Sequence, residues 1–282
     1  VIGLGYVGLP LLVSLSKKFD CIGYDINKTR IQNLKKKKDE TEEIKITDKL
    51  NVTNRIKDLA SANFFIVSVP TPINSKNEPD ILPIKKATLS ISKILKPGSI
   101  IVYESTVYPG FTEEICKKII DKETQLKLNK DYYLGYSPER INPGDKINTL
   151  ENIVKIVSAS NNTALKKINF VYKKVIKAGT FQLKSIKEAE ASKVIENTQR
   201  DINIGFINEL YFIFSKMNID INNVLAAAKT KWNFLDFKPG LVGGHCVGID
   251  PYYLYYKCKK IGINPKILIS GRKTNDNFHK VL

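Results

Sequence analysis

Short apolar runs alternate with helical patterns over the first 160 positions. Runs of strand length fall at 1–3, 21–25, 64–69, 100–104, 132–136 and 153–157. Among them, apolar residues recur at helical spacing near 9–18, 28–36, 85–95 and 112–122. This alternation predicts an α/β domain, a doubly wound and mostly parallel sheet with helices on both faces. Several runs end in small, Pro-rich or polar turns: Val69-Pro70-Thr71-Pro72, Glu104-Ser105-Thr106 and Ser137-Pro138-Glu139. Open α/β sheets bind ligands beyond the carboxyl ends of their strands, so these turns mark where a site is expected.

After Gly179 the pattern changes. Positions 185–216 hold no Pro and a single Gly, Gly205. A continuous helix there would span roughly 48 Å at 1.5 Å per residue. Helices of that length bridge domains or build dimer interfaces, which predicts a homodimer through 185–216. Further helical patterns lie near 221–228, 251–260 and 265–273. Two domains are expected, 1–184 and an all-helical region at 185–282.

With 282 residues and 43% apolar content, the chain can bury a sizeable core. No apolar run reaches transmembrane length and no basic-then-apolar leader opens the chain, which argues for no membrane partner. The net charge of +17 raises nucleic acid as a partner, but 40 of the 45 basic residues are Lys and five are Arg, spread along the whole chain. Phosphate and base recognition favours Arg, so the charge fits a basic surface near an anionic substrate better than nucleic acid. Four cysteines stand far apart without CxxC spacing, giving neither a disulfide framework nor a metal site. Reduced thiols point to the cytoplasm. Cys21 and Cys116 read as small buried hydrophobes.

Two motifs carry chemistry. Gly3-Leu4-Gly5-Tyr6-Val7-Gly8 follows apolar residues and opens a helical pattern. Gly3 permits a tight turn, Gly5 lets a pyrophosphate approach the backbone, and Gly8 allows close helix–strand packing. Asp25 ends the second run 17 residues after Gly8, where a carboxylate can hold both ribose hydroxyls. It would repel a 2′-phosphate, so NAD is expected over NADP, with Arg30 as the nearby residue able to accept such a phosphate. At the other end, Cys246 sits among Gly240, Gly243, Gly244 and Gly248, with Asp250 four residues on. The glycines leave the thiol sterically open, and Asp250 lies close to one helical turn away. His245 is adjacent in sequence, and adjacent side chains diverge, so a Cys246–His245 acyl hydrolase is the weaker reading. On the long helix Lys193 and Asn197 share a face, followed by Arg200 and Asp201.

Together these pieces resemble the UDP-sugar 6-dehydrogenases, which oxidise C6 of a nucleotide sugar to a carboxylate with NAD. The resemblance rests on Gly3 to Pro10, Ser68-Val69-Pro70-Thr71-Pro72, Glu104-Ser105-Thr106-Val107, Ser137-Pro138-Glu139, Glu190-Ala191-Ser192-Lys193 with Asn197, and Gly243-Gly244-His245-Cys246 with Asp250. Three stretches are similar to the UDP-N-acetylhexosamine branch: the run from Tyr136 to Asp145, the run from Val194 to Asp201, and Lys231-Trp232-Asn233-Phe234 leading to Cys246. UDP-N-acetylglucosamine is the substrate this implies, with UDP-N-acetylmannosamine and UDP-glucose as alternatives.

The resemblance implies a Rossmann-like NAD domain followed by a central helical region. It assigns Tyr6, Val7, Pro70, Thr71, Ser105 and Thr106 to the cofactor beside Gly3, Gly5, Gly8, Asp25 and Arg30. It assigns Glu139, Arg140, Lys193, Asn197, Arg200, Gly240 and Gly243 to the UDP-sugar. Cys246 becomes the covalent carrier, Lys193 and Asp250 hold a water that takes the hydroxyl proton, and Lys193 and Asn197 stabilise oxyanions. Glu139 with Thr106 positions the hydrolytic water, and the position four residues after Glu139, a second Glu in UDP-glucose enzymes, is Pro143. The family's C-terminal UDP-binding domain would begin beyond Leu282. The chain is therefore expected to be cut at both ends, and a dimerising NAD-binding fragment without turnover is the remaining alternative. The product would be a precursor of bacterial surface polysaccharide.

Overall fold

The computed structural model describes residues 1–243 and 247–280. The chain divides into two compact units, one of Val1–Pro72 with Asp80–Lys193, the other of Ile73–Pro79 with Val194–Leu282.

The first unit is built on a sheet of short strands: β1 (Gly23–Tyr24), β2 (Val52–Thr53), β3 (Phe64–Val67), β4 (Ser99–Tyr103), β5 (Tyr132–Tyr136), β6 (Lys155–Ala159) and β7 (Thr180–Leu183). Strands β1 and β2 pair in parallel, and β3 to β7 lie side by side in chain order. Ile2 joins the two groups by parallel bridges to Tyr24 and Val67. The chain thus starts in the middle, winds outward through β1 and β2, and returns to β3 on the other side of residue 2. That reversal is the switch point at which doubly wound sheets bind dinucleotides. Strand β6 runs antiparallel to β5, while β7 runs parallel to β6.

Helices cover both faces. On one face, α1 (Gly8–Ser16) and α5 (Asn162–Lys173) bury Leu11, Leu15, Leu165 and Ile168 against Ile100, Val102 and Val157. On the other, α3 (Leu82–Ser92) meets Tyr103, whose hydroxyl lies 2.9 Å from Thr88 Oγ1. Burial on both faces explains why these strands read as continuous apolar runs. Gly135 lets α5 close on the sheet, since a Cβ there would meet Ile168 Cδ1 at 2.4 Å. Cys116 is fully buried and burial pushes its thiol up to about 12, which leaves it inert. Cys21 is half-buried against the same core as α1.

Helix α5 was absent from the sequence-based elements, although Asn161 caps it by accepting from Ala164 N at 2.8 Å. Strands β2 and β7 were also absent. Two residues give no period, and β7 is exposed at Phe181 and so forms no apolar run.

Helix α6 (Ile186–Lys216) is continuous over 31 residues, as the absence of Pro predicts. The second unit adds α7 (Ile221–Ala228), α8 (Asp250–Lys260) and α9 (Lys266–Asn277). Its apolar core gathers Ile207, Ile221 and Leu225 with Phe214, Phe234 and Phe237. Among the described residues, no helix is long and apolar enough to cross a membrane.

Candidate active site

The turn from residue 3 to α1 has the geometry the glycine spacing predicts. Gly3 has φ +88°, a conformation that disfavours a side chain. A Cβ on Gly8 would lie 1.9 Å from Gly3 O and 2.4 Å from Ser68 Oγ, so the helix starts in contact with the strand ends. Gly5 has nothing within 4 Å of a Cβ position, so the space above it is open. Asp25 bridges two loops: its Oδ2 accepts from Leu4 N at 2.9 Å and its Oδ1 from Asn27 N at 2.8 Å. The carboxylate remains partly exposed at the strand end, with lone pairs left for a ligand hydroxyl. Arg30 is buried. Its Nε donates to Leu4 O at 2.9 Å, and its guanidinium pairs with Asp39 at 2.8 Å. Pro70 is exposed, Thr71 and Thr106 are half-buried, and the buried Ser105 donates to Val69 O at 2.6 Å. These residues lie on the turns after residue 3, β3 and β4, at one end of the sheet.

The same end holds a buried charged trio that sequence reasoning missed. Lys155 Nζ lies 2.7 Å from Glu139 Oε2 and 3.1 Å from Glu104 Oε2. Glu139 Oε1 also accepts from Arg140 N at 2.7 Å and Ile141 N at 2.9 Å. Tyr172 from α5 donates to Glu104 Oε1. Glu104, Glu139 and Lys155 are 2%, 8% and 3% exposed, so the trio is almost out of water. Two carboxylates share one ammonium, and the environments separate them. Burial raises Glu104 to about 7, against the pull of Lys155. Burial opposes charge on Glu139 as well, but Lys155 and two backbone N–H groups hold it below the ordinary carboxylate range. Both carboxylates raise Lys155 despite its burial.

Glu190, on α6, is fully buried and accepts from Gly110 N at 2.5 Å and Thr112 N at 2.9 Å. It ties the first turns of α6, and with them the buried Lys193, to the loop that follows Thr106. Burial raises Glu190 to about 7.

These two carboxyls make stability depend on pH. Their folded pKa values lie above the ordinary value, so the folded chain binds more protons than the unfolded one between about 4.5 and 7. Stability is then highest below that window and falls as pH rises through it. The loss from pH 5 to 7 is on the order of 4 kcal/mol. Thermal melts across this range should show the midpoint falling, and a rising midpoint would refute the assignment.

In the second unit, Asn197 Nδ2 donates to Asp250 Oδ2 at 2.5 Å, joining α6 to the first residue of α8. Asp250 is 1% exposed. Gly240 is held by Asn208, which accepts from its N–H at 2.8 Å and donates to its carbonyl at 3.0 Å. Arg200 and Gly243 are exposed, and a Cβ on Gly243 would meet nothing within 4 Å. Arg140, in the first unit, is partly exposed and donates to Val154 O at 3.3 Å. Gly244, His245 and Cys246 lie outside the described residues.

Comparison with known proteins supplies the assignment. The model for the NAD binding domain of the UDP-glucose/GDP-mannose dehydrogenase family matches residues 1–176, and that family's central-domain model matches 187–277. The chain belongs to this family. A UDP-N-acetyl-D-glucosamine 6-dehydrogenase of Pseudomonas aeruginosa is 52% identical over 283 residues, covering 99% of this chain and 67% of its own length. The CapL protein of Staphylococcus aureus is 52% identical over 287 residues, covering 100% of this chain and 68% of its own. Among solved structures, a UDP-D-ManNAc dehydrogenase from Pyrococcus horikoshii superposes with a TM-score of 0.87 at 28% identity, covering 100% of this chain and 68% of its own. The open space over Gly5, the contact of Gly8 with Gly3 and the half-exposed Asp25 fit the NAD of this dehydrogenase family.

Proposed function

We propose that this family member oxidises C6 of UDP-N-acetylglucosamine to the carboxylate, as a step toward a bacterial surface polysaccharide. The observation that carries the reading is the Asn197–Asp250 hydrogen bond, which pairs a side chain of the long helix with the carboxylate four residues beyond Cys246, in a unit that follows an NAD-binding domain. The choice of sugar rests on 52% identity to a protein named for UDP-N-acetyl-D-glucosamine, against 28% to one named for UDP-D-ManNAc.

Gly3, Gly5, Gly8 and Asp25 with Tyr6, Val7, Pro70, Thr71, Ser105 and Thr106 would hold NAD, which would supply two hydride acceptances per sugar. The residues of the chain do the rest. Lys193 and Asp250 hold a water that takes the C6 hydroxyl proton. The Cys246 thiolate adds to the aldehyde carbon, so the reactive intermediate stays bound. Lys193 and Asn197 donate to the oxyanion of each tetrahedral species. Glu139 with Thr106 orients the water that cleaves the thioester, returning the thiol and releasing the carboxylate. Arg140, Arg200, Gly240 and Gly243 contact the UDP-sugar. Arg30 is spent on Asp39, which supports NAD over a 2′-phosphorylated cofactor.

A homodimer through α6 belongs to the same reading. Ile195, Phe206 and Ile213 are 55%, 55% and 45% exposed and are spaced by eleven and seven residues, so they form one apolar stripe on the helix. A cytoplasmic setting suits the free thiols of Cys21, Cys116 and Cys258.

Cys246→Ser should lower formation of the uronate by at least about a thousandfold, the scale expected when a covalent step is removed. Coupled NADH release with UDP-N-acetylglucosamine measures it, and persistent conversion would exclude the covalent path. Separate titrations complete the test. NAD binding without UDP-sugar binding would reduce the chain to an NAD-binding fragment.

A further inference from the structure

The topology puts a lysine where an all-parallel sheet would not. Strand β6 runs antiparallel to β5, with Gly135 opposite Ala159 and Tyr136 opposite Ser158. Continuing that register carries the first residue of β6, Lys155, to the carboxyl end of β5, beside Glu139. Had β6 been parallel, its first residue would lie at the far end of the sheet.

We propose that Lys155 is a positioning residue for Glu139: it holds that carboxylate charged and in one orientation at the sheet's ligand-binding end, while Glu104 carries the proton of the trio. This rests on the reading of Glu139 as the group that orients the hydrolytic water.

The geometry supports each part. Glu139 is fixed at both oxygens, Oε2 by Lys155 and Oε1 by two backbone N–H groups, so its carboxylate plane cannot rotate freely. Glu104 holds Lys155 from the other side and is itself held by Tyr172. Lys155 Nζ also lies 5.6 Å from the Tyr172 ring centre. With both carboxylates ionised the trio carries one net negative charge in a nearly dry site. One proton on Glu104 leaves a neutral Lys155–Glu139 pair, the cheaper arrangement away from water. Among the described residues, the titratable and polar groups facing the trio are Glu104 at the end of β4, Ser137, Glu139 and Arg140 after β5, Lys155 of β6 and Tyr172 of α5. The directions agree, with Glu104 raised and Glu139 lowered.

The test uses infrared difference spectra of this chain between pD 5 and 9, which report a protonated buried carboxyl directly. The unsubstituted chain should show two such carboxyls titrating near neutrality, Glu104 and Glu190. Glu104→Gln should remove one of the two and leave the Glu190 contribution, because the remaining Lys155–Glu139 pair is neutral by itself. Lys155→Met should move the buried carboxyl titration upward by more than about one pH unit, since two carboxylates without a cation cannot both ionise. Lys155→Arg should keep it within about half a unit of the parent. In turnover with NAD and UDP-N-acetylglucosamine, Lys155→Met should lower kcat at least about tenfold with little change in KM, the pattern of a lost transition-state interaction.

A band unchanged by Glu104→Gln, or a titration unmoved by Lys155→Met, overturns the proposal. A moved titration with an unaltered kcat and pH profile overturns the positioning role. If Lys155→Met does not fold, Glu104→Gln and Lys155→Arg still decide it. Absence of turnover in the unsubstituted chain would count against the reaction, and the infrared result would still decide the state of Glu139.

Discussion

Gly5→Ala should leave the chain as stable as before yet remove most NAD binding, whereas Gly8→Ala should cost both. The difference follows from what a single methyl group would meet. At Gly5 no protein atom lies within 4 Å of the added carbon, so the folded chain accepts it without strain. The same carbon occupies the space a pyrophosphate must enter, and affinity should fall by roughly a hundredfold, about 2.7 kcal/mol. At Gly8 the carbon would sit 1.9 Å from a backbone carbonyl oxygen, which is not the far end of a flexible side chain. The start of α1 must lift from residue 3, and the expected loss is about 3 kcal/mol of stability, at the upper end for overpacking. Calorimetric NAD titration and thermal denaturation of both variants separate the two roles. If Gly5→Ala melts as early as Gly8→Ala, or binds NAD like the parent, the assignment of the turn is wrong.

That contrast was legible in the sequence because every residue involved lies within a few positions of the others. The trio shows where legibility stops. Glu139 stood out through its Ser-Pro-Glu turn, but its partner Lys155 is 16 positions on and Tyr172 is 33. Only the antiparallel turn of β6 brings Lys155 into place, and strand direction is not written in an apolar period. The surroundings of Arg30 were hidden for a related reason. Its position five residues after Asp25 suggested the cofactor, yet it folds inward to Asp39, which lies in an irregular segment that no periodicity locates. Helix α5, by contrast, carried readable signals in Asn161 and in the buried spacing of Ala164, Leu165, Ile168 and Tyr172. Helix α6 was visible because 31 residues without Pro leave few other conformations.

Asn208 is the residue on which the largest stability loss in the second unit is expected, and its aspartate should be worse than its alanine. The side chain is fully buried and reads the backbone of Gly240 as one base reads another. Its oxygen accepts from Gly240 N at 2.8 Å, and its amide donates to Gly240 O at 3.0 Å and to Asn275 Oδ1 at 2.8 Å. Asn275 in turn donates to Asp201, on both the backbone and the side-chain oxygen at 2.8 Å, and Arg272 closes the network on Asp201. Alanine leaves three groups without partners, Asn275 Oδ1 in the core and the half-buried N–H and carbonyl of Gly240, at about 1–3 kcal/mol each when buried, so a loss of roughly 4 kcal/mol is expected. Aspartate keeps the size and the bond to Gly240 N, but exchanges the two donors for an acceptor facing two more acceptors. Above its pKa it also buries a charge with no cation beside Gly240 O and Asn275 Oδ1. Protonation supplies one donor again, so the variant should recover stability as pH falls, while Asn208→Ala shows no such recovery relative to the parent. Denaturant unfolding of both variants at pH 5 and pH 8 measures this. An aspartate that is milder than alanine at pH 8 would mean that Asn208 fills space rather than pairing with the Gly240 backbone. Gly240 begins the glycine-rich segment that leads in sequence to Cys246, the proposed nucleophile, so an effect on turnover is expected as well. Loss of UDP-sugar turnover in Asn208→Asp at pH 8, with NAD affinity intact, is the functional counterpart of the same bond.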